Sequence, residues 1–304
     1  MSESSWKLSG YAAKTVVQAA LYTHDQIEEW DPDLVIAGRE LAEDRPEEWV
    51  LEAWYPREPA ALQIDELQAL FESDPPTIKV EKLASTDWVA LSQEGAQPIS
   101  AGPFYVRTPN FDADPNAINF VIPAALAFGT GQHQTTAGCL EMIAQLHDAK
   151  VSAQTIADIG TGTGLLGFAA LALWPQAQVT VSDIDPVCGP VVEENAQINA
   201  IALGEASGQM VMIIADGMQD AQLQSRGPYD ILIANILAGP LIDLAPDFAS
   251  SVSPTGSIIL SGLLAGEQEA QVALAYEAQG FARKARLQND DWAVLWFKRN
   301  DHAG

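Results

Sequence analysis

Hydrophobic and polar positions follow one rhythm in the first third of the chain. Short runs of β-branched and aromatic residues are separated by two longer stretches with helical spacing. The predicted strands are 6–12, 34–41, 49–55 and 77–83, and the predicted helices are 14–29 and 60–72. The order β-α-β-β-α-β is that of a ferredoxin-like α+β domain, which takes roughly 85 residues.

From residue 124 onward, strands and helices alternate one by one. The predicted strands are 155–159, 179–183, 210–215, 230–234 and 257–261, and the predicted helices are 164–174, 187–201, 220–224, 241–251 and 267–279. Two last strands, 281–288 and 292–298, are joined by a tight Asn-Asp-Asp link that indicates an antiparallel hairpin. Five parallel strands and a hairpin predict a seven-stranded, doubly wound, Rossmann-like α/β domain.

These two patterns predict three segments. Residues 1–95 form a ferredoxin-like domain, residues 96–123 form a linker rich in Pro and Gly with a short strand at 104–107, and residues 124–304 form the α/β domain.

Charge is spread unevenly along the chain, whose net charge is −26. Residues 1–95 carry 20 acidic and 7 basic side chains, and residues 96–304 carry 21 and 8, so the first segment is twice as acidic per residue. The densest basic stretch, 283–286, is too short to hold a duplex, and the acidity argues against nucleic acid as a partner. The acidity serves either solubility or the attraction of a basic partner, and the composition does not choose between them.

Cysteine and histidine patterns exclude several classes of site. Cys139 and Cys188 lie far apart and form no Cys-x-x-Cys, and the four histidines contain no His-x-x-x-His pair, which argues against a disulfide framework and a metal site. The N-terminal stretch 1–11 is polar, and no apolar run reaches the ~20 residues that span a bilayer. We therefore expect a cytoplasmic protein without a membrane segment.

The sequence Asp158-Ile159-Gly160-Thr161-Gly162-Thr163-Gly164 follows a predicted strand and opens a predicted helix. Glycines there let a ligand approach the backbone, and the amides of a helix N-terminus attract an anionic group. The dinucleotide fingerprint G-x-G-x-x-G does not fit when it is counted from Gly160, because its sixth position is Leu165. Counted from Gly162 it fits, but it then begins two residues too far beyond the end of the strand. The spacing favours a nucleoside-binding methyltransferase and leaves a nicotinamide-dependent oxidoreductase as the alternative.

Three carboxylates lie at the ends of the next two predicted strands or directly after them. Asp183 is placed to accept hydrogen bonds from both hydroxyls of a ribose, and Asp216 is placed to meet an adenine amino group. Asp185, directly before Pro186, is the better candidate for capping the following helix.

Asn235 follows the fourth predicted strand, in Ala234-Asn235-Ile236-Leu237. A side-chain carbonyl at that place accepts hydrogen bonds from a target amine and orients its lone pair, so Asn235 is the candidate catalytic residue. The alternative is a turn-forming Asn, which is common where strands end.

The stretch Phe128-Gly129-Thr130-Gly131-x-His133-x-Thr135-Thr136 precedes these motifs. Together with the Asp158 loop, Asp183-Ile184-Asp185-Pro186 and Ala234-Asn235-Ile236-Leu237-Ala238-Gly239-Pro240-Leu241, it resembles the methyltransferases of large-subunit ribosomal protein eleven, the PrmA family. The resemblance covers residues 120–298 motif by motif. It departs from the family at Pro123-Ala124-Ala125, where an acid and a glycine are usual, so an acidic role there is in doubt.

The resemblance implies S-adenosylmethionine as cofactor, with contacts from Thr136, Gly160, Asp183 and Asn235. The remaining candidate cofactor-binding residues are Phe128, Thr130, Gly162, Gly164 and Asp216. The resemblance further implies methylation of amino groups on a basic ribosomal protein, namely lysine side chains, with an N-terminal amine as a further candidate target, and recognition of that substrate by the N-terminal domain. An amino-methyltransferase of another protein, a nucleic acid or a metabolite is the main alternative, and a fold that serves only as an interaction module is another.

Overall fold

A computed structural model describes residues 6–25, 27, 30, 34–41, 45, 47–55, 57–71, 75–82, 97–123 and 132–300. The described residues fall into two compact units, one ending at residue 82 and one beginning at residue 97. Within these ranges, no helix is both long and apolar enough to cross a membrane.

The N-terminal unit contains four strands and two helices in the predicted order. They are β1 (Trp6–Ala13), α1 (Lys14–Asp25), β2 (Val35–Glu40), β3 (Glu48–Tyr55), α2 (Ala61–Ala69) and β4 (Lys79–Lys82). The strands form one sheet in the order β2-β3-β1-β4, and every neighbouring pair is antiparallel.

The core of this unit lies between the sheet and its two helices. Leu8, Leu51 and Ala53 of the sheet are fully buried beside Val17 of α1 and Leu67 of α2. Side chains alternate between the two faces of a strand, so the residues between these positions belong to the other face.

That other face of the sheet carries a buried acid. Glu52 is 5% exposed and accepts hydrogen bonds from Lys7 at 3.1 Å and Arg39 at 2.9 Å. Burial raises the pKa of Glu52, but the two cations outweigh it and hold the pKa below its usual value.

The segment predicted as a linker contains three strands: β5 (Ile99–Ala101), β6 (Phe104–Arg107) and β7 (Ile118–Val121). They form a small sheet in the order β5-β6-β7 within the second compact unit. Asn199 fixes the end of this sheet, because its side chain accepts from the Val121 amide at 2.7 Å and donates to the Val121 carbonyl at 2.8 Å.

The rest of the C-terminal unit is an alternating α/β structure. Its strands are β8 (Thr155–Ile159), β9 (Gln178–Asp183), β10 (Met210–Ile214), β11 (Tyr229–Asn235), β12 (Val252–Leu264), β13 (Phe281–Asn289) and β14 (Trp292–Arg299). Its helices are α3 (Gln132–Asp148), α4 (Leu165–Leu173), α5 (Cys188–Ile198), α6 (Ala221–Arg226), α7 (Ala238–Asp243), α8 (Ala245–Ser251) and α9 (Glu267–Ala278). The sheet order is β10-β9-β8-β11-β12-β14-β13. The first five strands are parallel and the closing hairpin is antiparallel, which confirms the predicted seven-stranded sheet.

Helices cover both faces of this sheet. One face, with Leu232, Leu260 and Leu295, packs against Leu241 of α7 and Tyr276 of α9. The other face packs against α3 and α4, and it does so at glycines. A Cβ on Gly167 of α4 would lie 2.5 Å from Val181, so only glycine permits this close approach.

One predicted helix is wrong in its details. The stretch predicted as a single helix, 241–251, lies in two short helices, α7 and α8, that meet at Leu244. Pro246 stands in the first turn of α8, where its missing amide hydrogen costs nothing, but it could not continue α7.

Candidate active site

Several of the candidate residues that the structure describes lie at one edge of the seven-stranded sheet, where its parallel strands end. Strand β8 lies between β9 and β11. Strands β9 and β10 are added on one side of β8 and strands β11 and β12 on the other, so the strand order reverses beside β8. Ligands of doubly wound sheets bind at such a point, beyond the carboxyl ends of the strands. Ile159, Asp183 and Asn235 are the last residues of β8, β9 and β11 and stand at this edge.

The loop after β8 depends on three glycines. Gly160, Gly162 and Gly164 have φ angles of 72°, 55° and 85°, a region that other residues seldom adopt. A Cβ on Gly160 would lie 2.2 Å from the Ile236 side chain, whereas one on Gly162 would meet nothing within 4 Å. Gly160 is therefore needed for packing, while Gly162 faces open space where a ligand can reach the backbone.

A buried carboxylate holds this loop to the start of α4. Asp158 is 0% exposed, and its Oδ2 accepts from the Thr161 hydroxyl at 2.6 Å and from the Gly167 amide at 3.1 Å. Its Oδ1 is buried and receives no hydrogen bond from the described residues. Burial raises the pKa of Asp158 to about 7, and the nearby Asp183 adds to the rise, although the two hydrogen bonds oppose it.

Asp183 connects β9 to the glycine loop. Its Oδ2 accepts from the Gly162 amide at 2.8 Å and its Oδ1 accepts from the Asp185 amide at 3.1 Å. The thiol of Cys188 also donates a hydrogen bond to Asp183. Burial and the neighbouring carboxylates Asp183 and Asp185 raise the pKa of Cys188 to about 12, so the thiol keeps the proton that it donates. A carboxylate has about four acceptor positions, so Asp183 keeps capacity for a ligand hydroxyl.

The two other candidate acids have separate surroundings. Asp185 accepts from the Val187 amide at 2.9 Å, so it caps the turn that leads into α5. Asp216 follows β10 at the same edge of the sheet, is exposed, and makes no side-chain hydrogen bond to another described residue.

Asn235 contacts the start of α3. Its Nδ2 donates to the Thr135 hydroxyl at 3.4 Å, and Thr135 is 3% exposed. The neighbouring Thr136 is half-buried in the same helical turn. Phe128 and Thr130, the other candidates from this part of the sequence, lie outside the described residues. The geometry thus joins Gly162 to Asp183 and Asn235 to Thr135, and it shows no contact of Asp216 with either pair.

Two residues that the sequence analysis did not single out, Gly262 and Asn195, shape this edge. Gly262 has a φ of 85°, and a Cβ there would lie 2.2 Å from the carbonyl oxygen of Ile236, the residue that packs on Gly160. Asn195 of α5 is 4% exposed and donates to the Thr163 carbonyl at 3.0 Å, which fixes the glycine loop from the other side. A glycine inside a strand often marks such a close approach, and that signal was present at Gly262.

Asp158 makes the stability of the fold depend on pH. The native pKa near 7 lies above the unfolded value of about 4, so the native state binds this proton more tightly. The contribution of Asp158 to the free energy of unfolding should therefore fall as the pH rises from about 4 to about 7, by an amount on the order of a few kcal/mol, and level off above pH 7. Urea unfolding of the parent and of Asp158→Asn, compared over this range, measures the effect. A difference between the two proteins that is independent of pH would contradict the assignment.

Comparisons with known proteins agree with one another. The model of a protein family described as "Ribosomal protein L11 methyltransferase (PrmA)" matches residues 3–300 of this chain. A ribosomal protein L11 methyltransferase of Brucella melitensis is 39% identical over 227 residues, which are 74% of this chain and 76% of that protein. The one from Rhizobium meliloti is 38% identical over 227 residues, 73% of this chain and 74% of that protein.

A solved structure is similar as well. The crystal structure of a ribosomal protein L11 methylase from Lactobacillus delbrueckii subsp. bulgaricus superimposes with a TM-score of 0.57 at 27% sequence identity. The match covers 67% of this chain and 100% of that one. The family match spans nearly the whole chain, and relatives of 38–39% identity share about three quarters of its length, so the chain belongs to the ribosomal protein L11 methyltransferase (PrmA) family.

Proposed function

We propose that this chain transfers methyl groups from S-adenosylmethionine to amino groups of ribosomal protein L11, both lysine side chains and an N-terminal amine. The observation that carries the proposal is the 2.8 Å hydrogen bond between Asp183 and the Gly162 amide. It brings a carboxylate and an open, glycine-lined backbone together where strand order reverses, which suits the ribose and the charged tail of an adenosyl amino acid.

The chemistry of the surrounding groups fits this cofactor. Asp183 retains acceptor capacity for a ribose hydroxyl, and Ile184 beside it is 65% exposed and offers apolar surface to a base. Gly162 is open to a ligand, and Asp158 keeps one buried oxygen without a partner among the described residues. In this proposal Gly160, Gly164, Asp216 and Thr136 complete the binding residues. When bound, the cofactor supplies an electrophilic methyl group on a positively charged sulfur.

Asp183 should be the strongest single polar contact to the cofactor. We expect Asp183→Ala to weaken binding of S-adenosylmethionine by about 1.5–3 kcal/mol, the size of a charge-assisted hydrogen bond. Calorimetric titration of both proteins measures the change, and NAD serves as a control ligand that should produce no binding heat. Unchanged affinity in the variant would remove Asp183 from the site.

Asn235 is the residue that we assign to the target amine. Its Nδ2 is engaged by the Thr135 hydroxyl, and no described residue donates to its Oδ1. Oδ1 is therefore the atom that remains to accept a hydrogen bond from an incoming amine. An acceptor on the amine hydrogens turns the nitrogen lone pair away from Asn235, toward the methyl carbon that it attacks.

A neutral acceptor also preserves the reactive form of the amine. The nitrogen must be unprotonated to attack, and an amide oxygen can accept its hydrogen bond without favouring the ammonium ion. A carboxylate in the same place would stabilise the ammonium ion and raise the pKa of the amine. Transfer is an in-line displacement, so positioning of the two reactants and exclusion of water supply most of the rate.

Substitutions of Asn235 should separate these two effects. We expect Asn235→Ala to lower turnover on the order of a hundredfold at every pH, because one positioning bond is lost. Asn235→Asp should lower turnover mainly at neutral pH and shift the pH optimum upward. The measurement is turnover of L11 methylation at saturating S-adenosylmethionine, with cofactor affinity determined separately. Parent-like turnover in Asn235→Ala would reduce Asn235 to a turn residue.

The N-terminal unit is proposed to be a ferredoxin-like domain that recognises the substrate. Its β-α-β-β-α-β order and its antiparallel sheet β2-β3-β1-β4 support this assignment of the fold. Its acidic density supports the assignment of the role, because a basic protein would be steered toward this end of the chain.

The exposed acids of this unit, rather than the buried one, would attract the substrate. Glu52 is neutralised by Lys7 and Arg39 and is 5% exposed. Asp65 and Glu66 of α2 are exposed and form no ion pair with another described residue. Both side chains therefore face solvent, and no cation among the described residues compensates their charges.

We expect Asp65→Lys/Glu66→Lys to lower kcat/KM for L11 about three- to tenfold with little change in kcat. The effect should shrink at high salt, where charges are screened. The matched control is Glu193→Lys/Glu194→Lys, which changes the net charge equally on two adjacent exposed residues of α5. Equal losses in both variants would show that overall charge, and not the N-terminal unit, attracts the substrate.

A further inference from the structure

The turn of the β13–β14 hairpin touches the helix that supports Asn235. Asn289 ends β13, and its Nδ2 donates to the Gln134 carbonyl in the first turn of α3 at 3.1 Å. The Gln134 side chain in return donates to the carboxylate of Asp290. Two hydrogen bonds thus join residues that lie 155 and 156 positions apart in the chain.

The turn itself is held to the sheet. The Asp291 carbonyl accepts from the Ala265 amide at 2.8 Å, directly after β12. Asn289 and Trp292 are paired across β13 and β14. The hairpin turn is therefore a fixed support, so its contacts to α3 can determine where the first turn of that helix lies.

The helix lies unusually close to this hairpin. A Cβ on Gly138, one helical turn beyond Gln134, would be 2.6 Å from the Val294 side chain and 3.2 Å from Asn289 Nδ2. Glycine at this position lets α3 approach within reach of a short Asn side chain. The contact between Asn289 and Gln134 therefore depends on close packing along the helix.

The next residue of α3 contacts the proposed acceptor. Thr135 follows Gln134 directly, and its hydroxyl accepts from Asn235 Nδ2 at 3.4 Å. A shift of the first turn of α3 would move this hydroxyl and release the side-chain amide of Asn235. A displacement of about 1 Å at a reacting group can cost on the order of a hundredfold in rate.

We propose that Asn289 is a positioning residue for methyl transfer. By fixing the Gln134 carbonyl it holds Thr135 against Asn235, and so keeps Asn235 Oδ1 directed at the target amine. The inference rests on the proposed role of Asn235 and extends it to a residue that is remote in sequence and touches neither reactant.

The test is a double-mutant cycle in the full-length protein. Asn289→Asp keeps the size of the side chain but turns a carboxylate oxygen toward the Gln134 carbonyl, and we expect it to lower turnover at saturating S-adenosylmethionine about tenfold. In an Asn235→Ala background the same substitution should change turnover less than about twofold, because the residue through which it acts is gone. Asn289→Ala serves as the second variant if Asn289→Asp does not fold.

The control variant is Gln288→Ala, on the same hairpin. Gln288 donates to the Asp290 carbonyl at 2.8 Å, so its loss perturbs the turn without removing a hydrogen bond to α3. Gln288→Ala should lower the unfolding temperature as much as the Asn289 variant does, while turnover stays at the parent level.

Each other outcome overturns a defined part of the proposal. One such outcome is that the Asn289 variant keeps parent turnover, and another is that the double variant loses turnover by the full product of the two single losses. In either case Asn289 does not position Asn235, and the role of Asn235 itself stands. If Asn235→Ala by itself keeps parent turnover, the proposed acceptor fails, and the route from Asn289 fails with it.

Discussion

The left-handed glycine loop after β8 is the constraint on which the site depends. Gly160, Gly162 and Gly164 all have positive φ angles, and such a run is stable only where surrounding groups hold it. Asp158 holds the loop from within and Asp183 holds it from the next strand. The backbone that faces the ligand edge is therefore pre-organised before any ligand arrives.

Packing around this loop transmits its position to the next strand. Ile236 lies against Gly160 and its own backbone lies against Gly262, where any side chain would collide. Asn235, the residue before Ile236, is thus placed by two glycines, Gly160 in the loop after β8 and Gly262 in β12. The two halves of the proposed reaction, binding of the methyl donor and orientation of the amine, depend on the same contacts.

Several parts of the fold were predictable because their causes are local. The alternation of apolar runs predicted the seven-stranded sheet and its closing hairpin, and the strand ends located Asp183 and Asn235 at the same edge of that sheet. The division of 238–251 into α7 and α8 was missed, because a proline in a first helical turn and a proline inside a helix look alike in sequence. The contact of Thr135 with Asn235 was not predicted, because which residue of a helix faces a given strand depends on how the helix is rotated.

The sequence by itself determined which chemical groups this protein brings to the proposed site: an acid near the end of one strand with three glycines after it, an acid at the end of the next, and an amide at the end of the fourth. Strand periodicity and turn chemistry act over a few residues, so they can be read from the sequence. Only the tertiary structure decided how these groups are supported, as in the contacts of Asn195 with Thr163 and of Asn289 with Gln134. Such contacts join residues far apart in the chain and require helices to pack at particular distances. No local pattern encodes those distances, because they result from the close packing of the whole α/β unit.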